Sequence, residues 1–107
     1  SYHRFAAVID YIKNHIHEKI DIDTLCKKVH MSRPHFFRTF KSEFGITPVD
    51  YILQEKISFA KELLTNTKHS VSEVCYAAGF NSINHFIKMF CKFTGLTPLK
   101  YKHALID

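Results

Sequence analysis

The groups in this sequence that could do covalent or metal chemistry are eight histidines and three cysteines, and their spacing does not assemble a site. His15 and His17 stand two apart, so a helix would point them to different sides, and no third ligand lies nearby. Cys26, Cys75 and Cys91 are widely spaced and form neither a CxxC pair nor a disulfide framework. No nucleophile pairs with a base at these spacings, so neither an enzyme nor a bound metal or other cofactor is expected. What remains is recognition through hydrogen bonds and charge. Arg38 is the sharpest candidate, because a guanidinium held in a DNA groove pairs bidentately with guanine O6 and N7. Asn84 suits adenine N6 and N7, while Ile83 and Ile87 suit thymine methyls. Arg33 and Lys41 suit phosphates, as do Lys88 and Lys92. Pro34 and Phe37 complete the first group, and Phe37 reads equally well as a thymine contact or as core.

Composition is compatible with such a role without requiring it. The chain has 107 residues, 46% of them hydrophobic, enough for one small domain with a core. Fifteen Lys and Arg against ten Asp and Glu give a net charge of +5. That balance fits nucleic acid, an anionic membrane surface or plain solubility. No apolar run approaches the ~18 residues of a membrane span, and no charged-then-apolar leader opens the chain. With its odd cysteine count, the chain reads as cytoplasmic.

The elements that must position these residues are visible as an internal repeat. HFFRTFKSEFGITPVDY at 35–51 returns as HFIKMFCKFTGLTPLKY at 85–101, fifty residues later. His35/His85, Phe36/Phe86, Phe40/Phe90, Gly45/Gly95, Thr47/Thr97, Pro48/Pro98 and Tyr51/Tyr101 are identical pairs. Upstream the match resumes with a one-residue step, Leu25-Cys26 against Val74-Cys75. Two copies of one supersecondary unit follow from this period.

Ser70 and Glu73 have capping-box spacing, Gly79 stops the helix they open, and Asn81 or Ser82 caps the next. The first copy runs from Ile22 to about Val29, turns through His30-Met31, and restarts at Ser32. Short helix, tight turn and second helix make a helix-turn-helix. Its second helix would bury Phe36 and Phe40, or Phe86 and Phe90, and turn its other face to the groove. The capped start at Ser82 also offers backbone amides to a phosphate oxygen. Cys26 and Cys75 read as small packing residues in the first helices. His35 and His85 lie beside the core phenylalanines and suit a shared structural or backbone-contacting role.

The expected fold is therefore all-α, with about seven helices. An opening helix spans 2–17, the helix-turn-helix units span 22–44 and 71–94, and a linker helix over 48–64 joins them. That linker would be about 25 Å long at 1.5 Å per residue. The absence of a Pro/Gly/Ser-rich linker predicts one rigid body over 1–107.

The stretch from Val71 through Gly79-Phe80, then Phe86, Phe90 and Gly95-Leu96-Thr97-Pro98 to Tyr101, resembles the C-terminal signature of the AraC/XylS family. Ile22 to Leu64 resembles that family's first helix-turn-helix and linker. The resemblance implies double-stranded promoter DNA as partner and contact with RNA polymerase, usually as an activator. It also implies a sensor or dimerisation domain elsewhere in a longer chain. Lys56, Lys88 and Lys102 stand where the family commonly has arginine, and Cys26 and Cys75 where it usually has alanine. Ile83 and Ile87 are more apolar than the family norm. A helical protein-interaction module using Phe37, Ile83 and Ile87 is the competing reading.

Overall fold

A computed structural model describes residues 2–106. After a 3-10 turn at Tyr2–Phe5 come seven α-helices among the described residues, and no strand. They are α1 (Ala6–Asn14), α2 (Ile22–Lys28), α3 (Arg33–Phe44), α4 (Pro48–Asn66), α5 (Val71–Ala77), α6 (Ile83–Thr94) and α7 (Pro98–Ile106). Each helix-turn-helix, α2–α3 and α5–α6, packs its own core, and the molecule extends 46 × 23 × 22 Å.

Side-chain caps set most of the helix starts. Asp21, Ser32, Thr47, Ser70 and Ser82 each accept a backbone N–H from the first turn that follows. Ser70 and Glu73 close a full capping box, with Ser70 N donating to Glu73 Oε1 at 2.8 Å and Glu73 N to Ser70 Oγ at 3.1 Å. Of the two candidate caps before α6, Ser82 is the one used.

Two boundaries differ from the sequence expectation. The opening helix covers Ala6–Asn14 rather than 2–17. At its end His15 N bonds to Tyr11 O and Ile12 O, and the His15 ring stacks on Tyr11 with Nδ1 donating to Tyr11 O. Beyond it, the Ile16 and Glu18 carbonyls turn to a side chain from α4 instead of continuing the helix. The linker helix runs two residues past Leu64, because Thr65 bonds back to Lys61 O and Thr67 back to Leu63 O.

The first core gathers Phe5, Val8, Ile9 and Ile12 around Leu25, Phe36 and Phe40. The second gathers Val74, Cys75, Ala78 and Phe80 around Phe86 and Phe90. Helix α4 serves both, giving Ile52 to the first and Ile57, Ala60 and Leu64 to the second. Fully burying each large apolar side chain contributes roughly 1.5–3 kcal/mol. Cys26 and Cys75 are buried here, and burial pushes both thiols upward in pKa, so they act as apolar packing groups.

Candidate nucleic-acid interface

Helices α3 and α6 are built by the same rules. Each starts at a serine whose Oγ accepts the N–H of a histidine in the first turn, His35 at 3.3 Å and His85 at 3.2 Å. Each buries two phenylalanines four residues apart, and each ends at a glycine with φ near +80°. Burial of the phenylalanine pair determines which way the rest of the helix faces. At ~3.6 residues per turn, the opposite row holds Pro34, His35, Arg38, Lys41 and Ser42 on α3. On α6 it holds Asn84, His85, Lys88, Cys91 and Lys92. All of these are exposed except the half-buried Cys91.

The structure thus places Pro34, Arg38, Lys41, Asn84, Lys88 and Lys92 on the outward rows. Lys92 is also tied to α4, with Nζ 3.4 Å from Asp50 Oδ1 and lying over the Phe93 ring. The half-buried Ser82 takes its place as the α6 cap.

Arg33, Phe37, Ile83 and Ile87 lie beside these rows rather than on them; Arg33 is exposed and the other three are half-buried. They lie on the flank of the buried pair, because positions three before Phe36 or Phe86 and one after it share the core-facing side. Arg33 Nη1 donates to Asp23 Oδ1 at 2.7 Å, tying α3 to α2, and this partner raises the guanidinium pKa further. Phe37 packs against the first core, edge-on to Phe36, and Ile83 packs against the second. Ile87 is half-buried. The apolar surface on which a protein-interaction module would depend is therefore largely drawn into the two cores.

Ser42 joins the outward rows without having been expected there, and His35 and His85, expected in a structural or backbone-contacting role, are exposed on them. The 3.6-residue phase measured from the buried phenylalanines was the signal that locates them. The acid-free stretch from Phe80 to Lys102 carries four lysines, but they are not equivalent. Lys92 faces Asp50, and Lys102 donates to His69 O at 3.0 Å, whereas Lys88 and Lys100 are exposed.

Among the described residues one cationic side chain is buried. Lys56 is 6% exposed, and its Nζ donates to Ile16 O at 2.5 Å and Glu18 O at 2.6 Å. Burial lowers its pKa to about 8, and the charge of Glu18 pulls against that shift. Among the described residues no three His, Cys, Asp or Glu side chains converge as metal ligands, and no helix is long and apolar enough to cross a membrane.

Comparison with known proteins follows the same lines. A helix-turn-helix domain family matches residues 25–104. The HTH-type transcriptional regulator YdiP of Escherichia coli is 33% identical over 89% of this chain, which spans 31% of that protein. The MmsAB operon regulatory protein of Pseudomonas aeruginosa is 32% identical over 89% of the chain, again 31% of the relative's length. The chain thus spans about a third of these curated relatives. Among solved structures, the DNA-binding domain of the global transcriptional factor AdpA, in complex with a target DNA, superposes with a TM-score of 0.88. It is 32% identical, and the match covers 94% of this chain and 91% of that one.

Proposed function

Starting from the fact that the chain belongs to the AraC/XylS family of helix-turn-helix DNA-binding regulators and is not an enzyme, we propose how it reads DNA: α3 and α6 enter successive major-groove segments on one face of promoter DNA. The observation that carries this reading is the pair of outward rows, each opposite a buried phenylalanine pair and free of acidic side chains. In it Arg38 reads a base pair and Asn84 a second one. Lys41, Lys88 and Lys92 hold phosphates, which set register without reading sequence, and the α6 start at Ser82 faces the backbone. Pro34 opens the first row beside the bases. Arg33, Phe37, Ile83 and Ile87 act mainly from behind, by fixing how each helix sits on its core.

The rest of the assignment concerns a longer protein: a sensor or dimerisation domain, contact with RNA polymerase, activation of transcription and a cytoplasmic location. The short span of this chain on its relatives supports the further domain.

Selection of bound duplexes from a random library at stated salt tests the reading. Arg38→Ala is expected to cost roughly 1–3 kcal/mol and relax preference at one base pair. Lys41→Ala is expected to weaken all sequences alike and reduce the salt slope by about 1. If neither change alters affinity for any duplex, the reading is wrong.

A further inference from the structure

We propose that Lys56 is the positioning residue that holds the two recognition helices at one separation and angle, and so sets the base-pair spacing between the two DNA segments read. This rests on the two-helix reading above, although Lys56 itself is too buried to touch DNA.

Lys56 stands at the middle of α4. Ile52, Lys56 and Ala60 follow one another at four-residue steps on one face of the helix. Ile52 belongs to the first core and Ala60 to the second, so Lys56 occupies the seam between them. An aliphatic side chain of equal length would fill that space with a lower desolvation cost. The ammonium adds direction, because its two bonds go to carbonyls of one loop, Ile16 O and Glu18 O.

That loop leads directly into Asp21, the cap of α2, and α2 is bonded to α3 through Asp23 and Arg33. The turn of the second unit packs beside the same ammonium and its acceptor. A Cβ on Gly79 would collide with Lys56 Nζ, and would lie only 2.8 Å from Ile16 O and 3.0 Å from the His17 carbonyl carbon. Gly79 is followed at once by Phe80, which is buried in the second core, and by Ser82, which caps α6. One nitrogen atom therefore joins the loop that scaffolds α3, the linker helix, and the turn that launches α6.

At this point the backbone of Ile16 and His17 also packs directly on Gly79, but by van der Waals contact, whereas the Lys56 bonds are directional. Beside Lys56 lies an open cleft of about 420 Å³, lined by His17, Lys19, Tyr76, Asn81 and His85 among others. Without the Lys56 bonds, orientation would pass only through α4 and the non-directional packing of the loop on Gly79. Helices bend, and a small bend at its middle is magnified at the tips of α3 and α6. Buried polar groups that specify one arrangement at some cost in stability are known from other helical proteins, which is the role assigned to Lys56 here.

Two measurements test this, one of them without DNA. Residual dipolar couplings of the wild-type chain should fit one alignment tensor across both units, and those of Lys56→Met should require two. If Lys56→Met does not fold, Lys56→Gln, which keeps an N–H donor but is one atom too short, is measured in its place. A single tensor in the variant overturns the proposal.

The second measurement uses the tightest duplex recovered from the random library and the same duplex with one base pair inserted between its two segments. Wild type should lose about 30-fold or more on insertion, because the second segment moves by ~3.4 Å and rotates. Lys56→Met should bind the original duplex about tenfold or more weakly than wild type, lose less than about threefold on insertion, and keep wild-type affinity for a single segment. Equal losses on the full and single segments, or a wild type that tolerates the insertion, overturn the proposal. A wild type that selects no duplex at all overturns instead the two-helix reading of DNA, while the dipolar couplings still decide whether Lys56 holds the units.

Discussion

The turns of the two helix-turn-helix units make the same backbone excursion with different residues. In the second unit the left-handed position is Gly79, with φ +85°; at the equivalent place in the first unit stands His30, with φ +54°. Conformational preference alone would favour glycine at both. The difference lies in what each turn faces. His30 is exposed, so its side chain has room, whereas Gly79 packs onto Lys56 and the backbone of Ile16 and His17. Glycine at 79 is thus required by close approach at the seam as well as by its φ. The outward rows differ in the same spirit. Arg38 and Lys41 on α3 correspond to Lys88 and Cys91 on α6, although the caps, the buried phenylalanines and the terminal glycines are shared. Positions that fold a unit repeat; on the outward rows the histidines repeat and most of the other positions diverge.

The contrast breaks most severely at Gly79. Gly79→Ala is expected to cost about 3 kcal/mol or more, from left-handed strain plus displacement of the Ile16 backbone. Gly45→Ala, also at positive φ but with open space around its Cβ, should cost only about 1–2 kcal/mol. Urea denaturation of the two variants side by side measures the difference, and equal losses would remove close approach as an explanation.

A smaller effect is expected from the charge at the seam. Lys56 has a folded-state pKa of about 8, below the ordinary lysine value of 10.5. Between those values the unfolded chain binds more protons than the folded one, so stability should rise with pH across this window. The gain should be on the order of 1–2 kcal/mol relative to Lys56→Met, which has no proton to lose there. The titratable groups facing this site are His17, Glu18, Lys19, Tyr76 and His85. Thermal or urea unfolding of both proteins at pH 7.5 and about 9.5 reads the difference; parallel curves would show that burial does not depress Lys56.

The smallest effect sharpens the comparison from the other side. His30→Gly should stabilise the chain by less than about 1 kcal/mol, since relief of left-handed strain is offset by the entropy glycine loses on folding. A loss of stability would mean that the His30 side chain makes a contact that outweighs its strain.

The repeat, the serine, threonine and glycine punctuation, and the phenylalanine stripes were legible in the sequence because each acts over a few residues. A serine caps the N–H three positions on, and a glycine ends the helix immediately before it. Those local rules established an all-helical chain with two like units and a linker, and placed Arg38, Lys41, Asn84 and Lys88 facing outward. The flank of a helix was less legible, because it is claimed by whatever packs beside it: Arg33, though exposed, pairs with Asp23 of α2, and Phe37 takes the core alternative of its two readings. Only the tertiary structure decided what Lys56 does. In the sequence it is one of two lysines on the linker helix; its bonding partners, Ile16 and Glu18, lie 40 and 38 residues away. A contact of that range leaves no periodic trace, because it exists only once both cores have formed on α4 and brought the loop, the linker and Gly79 together.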